Sequence, residues 1–357
     1  MAALPRPATG ILSQCRGFIL VATLWLLALL TVAATYLAAW TAEATDSAWR
    51  EQQAWRAEMA ARGTEAAVLY LLSTRRFTVA GLTLEPPLMP TTAEELDNLT
   101  ALPVGDELAL DDRRYRGLGE TVFALQDEAG LVGLTRPDAT QLGQLLGLLE
   151  IPLEQRGPLI AKLEDYSDTD DLYRLNGAEA RQYQDRGLPA PPNRELLASW
   201  ETRQVLDWAG HANLWRDQRL PRLTTALPAG IPNPNTAPLL DLQTIPGVDA
   251  EIAHRIVAGR PYLSYYALNL AIGIPLPVDE MSLSFLPSDQ VRLTLSHPDW
   301  PWRREIHIEL TPRKKPQPWL IDYVLDIPTD DAPASSPAPV ASAVFAPAPA
   351  TAPERPR

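Results

Sequence analysis

The densest chemistry in the sequence lies in Asp165-Tyr-Ser-Asp168-Thr-Asp170-Asp171, a run dominated by carboxylates. Carboxylates packed this closely repel one another unless water separates them or a cation shares them. Their oxygens suit a hard ion, and calcium best, because it accepts roughly six to eight oxygens in loose geometry. Asp168 and Asp170 have the spacing that opens an EF-hand loop, but the turn glycine and the terminal glutamate are missing. A solvated acidic loop with Asp168 or Asp170 as a helix cap is the alternative, and spacing alone leaves both open. The four histidines, His211, His254, His297 and His307, do not have zinc-site spacing, and the one cysteine is Cys15. No G-x-S-x-G elbow, P-loop or G-x-G-x-x-G occurs. A role other than catalysis is expected.

Other stretches must position that run. Gly17 to Ala42 carries no charge, long enough for a bilayer at about 20 residues per span. Arg6 and Arg16 precede it, with no acid before Glu43, so the positive-inside rule places the N-terminus in the cytoplasm and the bulk outside. A conventional secretory signal, cut near Ala33-Ala34 or Ala38-Ala39, is the competing reading. A lipoprotein signal does not fit, because the apolar run follows Cys15. Beyond the membrane, Trp40, Trp49, Trp55, Met59, Val68 and Leu72 alternate with polar positions. The pattern predicts one long helix over 18–80, transmembrane over 18–40, with these residues as core or interface anchors.

Further on, Thr83 to Pro103 reads as loop. Arg114 to Leu125 and Asp127 to Leu134 read as turns leading into strands. Leu142, Leu145, Leu146 and Leu149, then Leu159, Ile160 and Leu163, mark helix faces. Leu239 to Arg260 has the form helix, Pro246-Gly247 turn, helix, similar to a helix-hairpin-helix. Asp249 and Glu251 stand where a DNA-binding version would hold a phosphate at the helix N-terminus, and they oppose it. The formal net charge of -13 also repels nucleic acid. Strands return from Val291 to Ile327, able to join those near residue 120 in one sheet that the helices interrupt. Residues 329–357 are Pro/Ala-rich and predict a disordered tail.

Three features together resemble a known family. A short basic leader ends at Arg16-Gly17, and an apolar helix begins at once with Phe18, as at the prepilin-peptidase site of type IV pilins and type II secretion pseudopilins. The fifth position after that glycine, usually glutamate, is Ala22. The aspartate run, Gly177-Ala178-Glu179, Tyr183, Pro191-Pro192-Asn193-Arg194, Trp208 and Asn233-Pro-Asn-Thr-Ala follow in the order of the K-type minor pseudopilins. The resemblance spans roughly Gly17 to Pro328. It implies cleavage between Gly17 and Phe18 by the prepilin peptidase, and a tip subunit at Ala22 that does not pair with a neighbour above. It also implies calcium on Asp165, Asp168, Asp170 and Glu179, with Asp171 in reserve. The implied fold is α+β: a long N-terminal transmembrane and amphipathic helix, and a pilin-like antiparallel sheet with a large inserted all-helical domain of SAM-like or helix-hairpin-helix-like kind. The expected boundaries are leader 1–17, helix 18–80, first part of the β domain 81–136, inserted domain 137–285, C-terminal strands 286–328 and tail 329–357. The implied role is to start or cap a type II secretion pseudopilus at the inner membrane with the I- and J-type minor pseudopilins, the bulk of the chain being periplasmic. A membrane-anchored helix-hairpin-helix DNA-binding protein is the alternative; with the leading reading, no nucleic-acid partner is expected.

Overall fold

The computed structural model describes residues 16–85, 102–311, 317–328 and 338–345. Most of the expected leader, with Cys15, and much of the expected 83–103 loop lie outside the described residues. The chain divides into two units, Met1–Arg56 and Ala57–Arg357.

The first unit holds the opening stretch of α1 (Arg16–Thr74). Its Leu- and Ala-rich composition favours helix, and its threonines bond back onto their own turn. Thr31 Oγ1 donates to the carbonyl of Leu27 at 2.7 Å and Thr23 Oγ1 to that of Leu20 at 2.9 Å. Such bonds satisfy hydroxyls where water is absent. Leu24, Leu27, Leu30 and Leu37 are exposed, as is Ala22. Among the described residues this is the one helix long and apolar enough to cross a membrane. Trp40, Trp49, Trp55 and Met59 are exposed rather than core, against the core half of the expectation. The helix's buried stripe begins only at Ala57, and Met59 lies two positions off it.

In the second unit, β1 (Phe77–Thr78) and β2 (Gly81–Leu82) make a small hairpin. Then come β3 (Asp111–Arg116), β4 (Val122–Asp127), β5 (Val132–Thr135), α2 (Ala139–Leu148), α3 (Leu153–Ser167), α4 (Ala180–Gln184), α5 (Ala212–Trp215), α6 (Arg219–Leu223), β6 (Thr224–Pro228), α7 (Leu239–Leu242), α8 (Ala250–Gly259) and α9 (Tyr265–Ile272). β7 (Gln290–Ser296), β8 (Trp302–Leu310) and β9 (Trp319–Pro328) complete the order. One five-stranded sheet runs β3-β4-β7-β8-β9, each pair antiparallel. Everything between β4 and β7 is therefore an insertion between two hydrogen-bonded neighbours, as expected.

Strand alternation gives the sheet two faces. Phe123, Leu125, Val291, Leu293, Leu295, Ile306 and Ile308 pack with Ala57, Ala61, Val68 and Leu72 of α1. The opposite face carries Arg292, Glu305 and His307, each under 5% exposed, beneath the insertion. The insertion has two cores of its own. One is built around Leu142, Leu145, Leu163, Tyr183 and Trp208, the other around Leu242, Ile252, Ile256 and Leu268.

Three expectations change. The insertion starts at Glu128, not at 137: Asp127 Oδ1 accepts from Ala129 N at 3.2 Å in a tight turn that leads the chain off the sheet. Val132–Thr135 then pairs in parallel with Thr224–Pro228, so the insertion is not all helical, and Val132 and Leu134 join its core. Residues 338–345, expected in a disordered tail, are ordered on the edge of β3. Val340 N donates to Arg114 O at 2.8 Å, Arg116 N donates to Val340 O at 2.9 Å, and Phe345 stands edge-on to Phe123. Val340, Val344 and Phe345 supply the apolar area that the Pro/Ala composition suggests is lacking.

Candidate cation site and the junction that carries it

α3 ends because Asp168 takes an extended conformation at its C-cap, with its N–H on Glu164 O. The last turn of that helix presents Asp165, whose side chain is fully buried. The loop then folds back over it. Asp170 Oδ1 accepts from Leu172 N at 2.8 Å, an Asx turn. Arg174 N donates to Asp165 Oδ2 at 3.2 Å. Gly177 passes so close that a Cβ there would lie 1.9 Å from Asp165 Oδ2, which explains a glycine at this point. Asn193 Nδ2 ties the loop down through Asp170 O and Asp171 Oδ1, both at 2.9 Å.

The structure brings Asp165 and Asp168 together around one group, the Arg174 guanidinium. Its Nη1 lies 2.8 Å from Asp165 Oδ1 and also contacts Asp168 Oδ2, and its Nε lies 3.3 Å from Glu164 Oε2. Asp170 and Asp171 are instead engaged in the turn and with Asn193. Among the described residues, no three Asp, Glu, His or Cys side chains converge as a metal cage. Glu179, at the N-cap of α4, is 6% exposed, and neither carboxylate oxygen has a hydrogen-bond partner. Asp168 Oδ1 and Asn193 Oδ1 are likewise buried and unpartnered. Burial, then the charges of Asp165, Asp168, Asp171 and Asp170, push Glu179 up to about 7. A buried carboxylate surrounded by acids lacks positive charge.

The other residues of the sequence signature hold this loop on its scaffold. Trp208 Nε1 donates to Leu159 O at 3.0 Å, and Tyr183 Oη accepts from Leu206 N at 2.9 Å. Arg194 grips Glu201 at 2.7 and 3.1 Å. Asn233 to Ala237 form the junction with the sheet. Buried Asp127 accepts from Asn233 Nδ2 at 3.0 Å, Thr236 Oγ1 at 2.8 Å, and Ser288 N and Oγ at 3.0 and 2.7 Å. Asn235 binds the backbone of Tyr262 and Phe285.

Sequence reasoning missed a buried ionic cluster at the same junction. Arg292 Nε lies 2.8 Å from Glu128 Oε1, while Nη1 and Nη2 donate to Pro221 O and Thr224 O at 2.8 Å. His307 Nδ1 is 2.7 Å from Asp322 Oδ2, and its Nε2 is 3.3 Å from Glu128 Oε2. Burial would raise Glu128, but the Arg292 charge and then His307 outweigh it and bring it to about 2. In the hairpin, Asp249 Oδ1 caps α8 by accepting from Ile252 N at 2.8 Å. Gly247 lies against Pro277, where a Cβ would be 2.4 Å from Cδ. The turn that resembles a phosphate cradle is thus packed into the insertion.

A long apolar helix, an antiparallel sheet and a mainly helical insertion together make an α+β fold of pseudopilin-like kind. The model of the type II secretion system protein K family matches residues 122–266. Among solved structures this protein is similar to a chain of the GspK-GspI-GspJ complex from the enterotoxigenic Escherichia coli type 2 secretion system. The two are 20% identical, the match covers 79% of this chain and 98% of that one, and the TM-score is 0.49. No curated protein matches the chain.

Proposed function

We propose that this chain is a minor pseudopilin at the tip of a type II secretion pseudopilus, where it starts or caps assembly with the I- and J-type minor pseudopilins for protein export. The observation that carries this reading is the insertion between β4 and β7, the part matched by the protein K family. Such bulk beside a pilin-like sheet suits the end of a filament better than its interior. Ala22 agrees with it, since a subunit with nothing above has no neighbouring N-terminus to pair with a carboxylate. In this reading the prepilin peptidase cuts between Gly17 and Phe18, and the helix from Phe18 remains in the inner membrane with the rest periplasmic. Mass spectrometry of the mature chain is expected to find Phe18 at the N-terminus, and Gly17→Trp is expected to block processing. A mature N-terminus near Ala39 would instead mean a secreted domain. Co-purification with I- and J-type subunits, lost when the insertion is replaced by a short turn, tests the tip role.

Calcium belongs to the same proposal. The residues fit a cation: Glu179 offers two buried, unpartnered oxygens, and Asp168 and Asn193 offer one each. Glu179 and Asp168 would hold the ion with Asn193 Oδ1, Asp165 would join them only on giving up its bonds to Arg174, and Asp170 and Asp171 would lend charge from the loop. Bound there, calcium would supply positive charge to buried carboxylates and fix the loop on α3 and α4. Calcium is expected to raise the melting temperature of the chain, and the Asp168→Ala, Asp170→Ala double variant to lose that rise. An unchanged rise in the double variant would reduce the acidic run to a solvated loop.

A further inference from the structure

The acidic loop carries a cation of its own. Arg174 engages both oxygens of buried Asp165: its backbone N–H donates to Oδ2 at 3.2 Å and its Nη1 to Oδ1 at 2.8 Å. The same Nη1 contacts Asp168 Oδ2, and Nε lies 3.3 Å from Glu164 Oε2. Leu172, Tyr173 and Leu175 on either side of it are exposed.

Buried oxygens without a hydrogen-bond partner remain on three neighbours: two on Glu179, one on Asp168 and one on Asn193. Beyond burial, the charges of Asp165 and Asp168 act on Glu179, so these groups share one field. Four oxygens fall short of the roughly six to eight that calcium takes. Asp165 Oδ1 and Asp168 Oδ2 would bring the set into that range, and Nη1 of Arg174 holds both. Water could fill the open positions but would leave the guanidinium in place. An ion on Oδ1 of Asp168 and a guanidinium on its Oδ2 would put like charges a few ångströms apart, at a partly buried site where screening is weak.

The guanidinium has a way out. Glu164 is 32% exposed and already engages Nε, so it can keep the arginine after Nη1 turns to water. The loop backbone does not depend on that turn. The Arg174 N–H on Asp165, the close passage of Gly177 and the two bonds from Asn193 Nδ2 hold it.

We propose that Arg174 is a tethered competitor for the cation: its guanidinium occupies part of the coordination sphere in the metal-free chain, leaves when a divalent ion binds, and so sets the ion concentration at which the loop fills. The proposal rests on the reading of Asp168 and Glu179 as cation ligands. An ion that needs the guanidinium out binds with its intrinsic affinity reduced by the fraction of chains in which it is out. Charge-assisted bonds keep it in for all but about one chain in ten or fewer, a loss of about tenfold or more.

The test is calorimetric titration of calcium into the chelator-stripped, detergent-solubilised full-length chain. Arg174→Met keeps the length of the side chain and removes its charge, and it is expected to bind calcium at least about tenfold more tightly than the parent. Arg174→Gln is expected to gain in the same direction. A purely structural loss would weaken binding instead. Glu179→Gln in the Arg174→Met chain is expected to undo the gain; a gain that survives it would come from another site and overturn the proposal. In the parent, Arg174 is expected to react severalfold faster with phenylglyoxal in calcium than in chelator, read by peptide mass spectrometry, because the ion releases it. Slower or equal reaction at saturating calcium would overturn the proposal. Binding by the parent that neither variant tightens would overturn the competitor role and leave the ion site standing. Calcium binding by none of the chains would overturn the ion site and the competitor with it.

Discussion

Nη1 of Arg174 lies 2.8 Å from Oδ1 of Asp165, a carboxylate with no exposed surface. The guanidinium also contacts Asp168 and Glu164, so it supplies the charge that a metal would otherwise bring. Asp168 and Asp165 hold its pKa above the ordinary arginine value. Arg174→Gln is therefore expected to destabilise the metal-free chain, since breaking a buried pair strands a carboxylate. The arginine is 41% exposed, so solvent screening brings the loss to about 1–2 kcal/mol. Calcium should restore more stability to this variant than to the parent. Thermal unfolding in chelator and in millimolar calcium measures both, and an equal response to calcium in the two chains would contradict the idea.

Glu179 gives the complementary prediction. Its folded pKa is raised to about 7, so without metal it weakens the fold as pH rises from its ordinary value near 4.5 toward 7. Glu179→Gln keeps the shape and removes the charge. In chelator above pH 7 the variant is expected to be more stable than the parent, by on the order of 2 kcal/mol. In calcium the order should reverse. Denaturant titrations in the two buffers provide the check, and a variant weaker than the parent in both would mean that the carboxylate has a partner in solution.

Much of this arrangement was legible because it depends on residues that repeat a pattern. The uncharged run from Gly17, the leucine spacing at Leu142, Leu145 and Leu146 and the alternation in β7 and β8 each report one burial face. The acidic loop was visible as charge density, and the resemblance picked out Glu179. What was not legible depends on a second buried face. Arg292, Glu305 and His307 sit at the polar positions of alternating strands, which reads as a solvated side; the insertion covers that side instead. Arg174 was invisible for a related reason: an arginine in an acidic loop looks like surface, and only the fold points it inward. The start of the insertion was misplaced because Val132–Thr135 has the composition of a sheet strand while its partner, Thr224–Pro228, lies far along the chain. Local pattern does not report a parallel pairing of that separation.

The buried cluster gives a pH prediction with two limbs. Glu128 is depressed to about 2, so its stabilising contribution is complete above its ordinary value of 4.5 and is lost as pH falls toward 2. Burial would lower His307, but Glu128 and Asp322 outweigh it and raise its pKa above 6.5. Its contribution is complete below 6.5 and is lost as pH rises through the raised value. His307 faces Glu128 from the insertion, Arg292 from β7, Glu305 on its own strand, and Asp322 and Tyr323 on β9. In a Glu179→Gln chain, which lacks the fall between pH 4.5 and 7 that this carboxylate causes in chelator, stability should therefore peak between the two limbs. His307→Gln is expected to flatten the alkaline limb and leave the acid limb in place. Unfolding free energies from pH 3 to 9 decide it, and an alkaline limb that survives in the variant would assign it to another group.

Asp127 holds the insertion to the sheet and offers the clearest test of how the two fold together. Its buried carboxylate takes bonds from Ala129, Asn233, Thr236 and Ser288, the entry, middle and exit of the insertion. Burial raises its pKa despite those donors, so the bonds do not fully repay its desolvation, yet removing it would take the acceptor from five donor groups on these four residues. Each buried donor left without a partner costs about 1–3 kcal/mol before water enters. Asp127→Ala is expected to lose roughly 3 kcal/mol or more of global stability. Local opening should be larger still at residues 233–237 and 286–289, since regions open in cooperative units defined by such contacts. Hydrogen exchange should show amides there losing protection before those of β4 and β7. If all these amides lose protection together, the insertion and the sheet are one cooperative unit, and Asp127 is an internal bond rather than a joint.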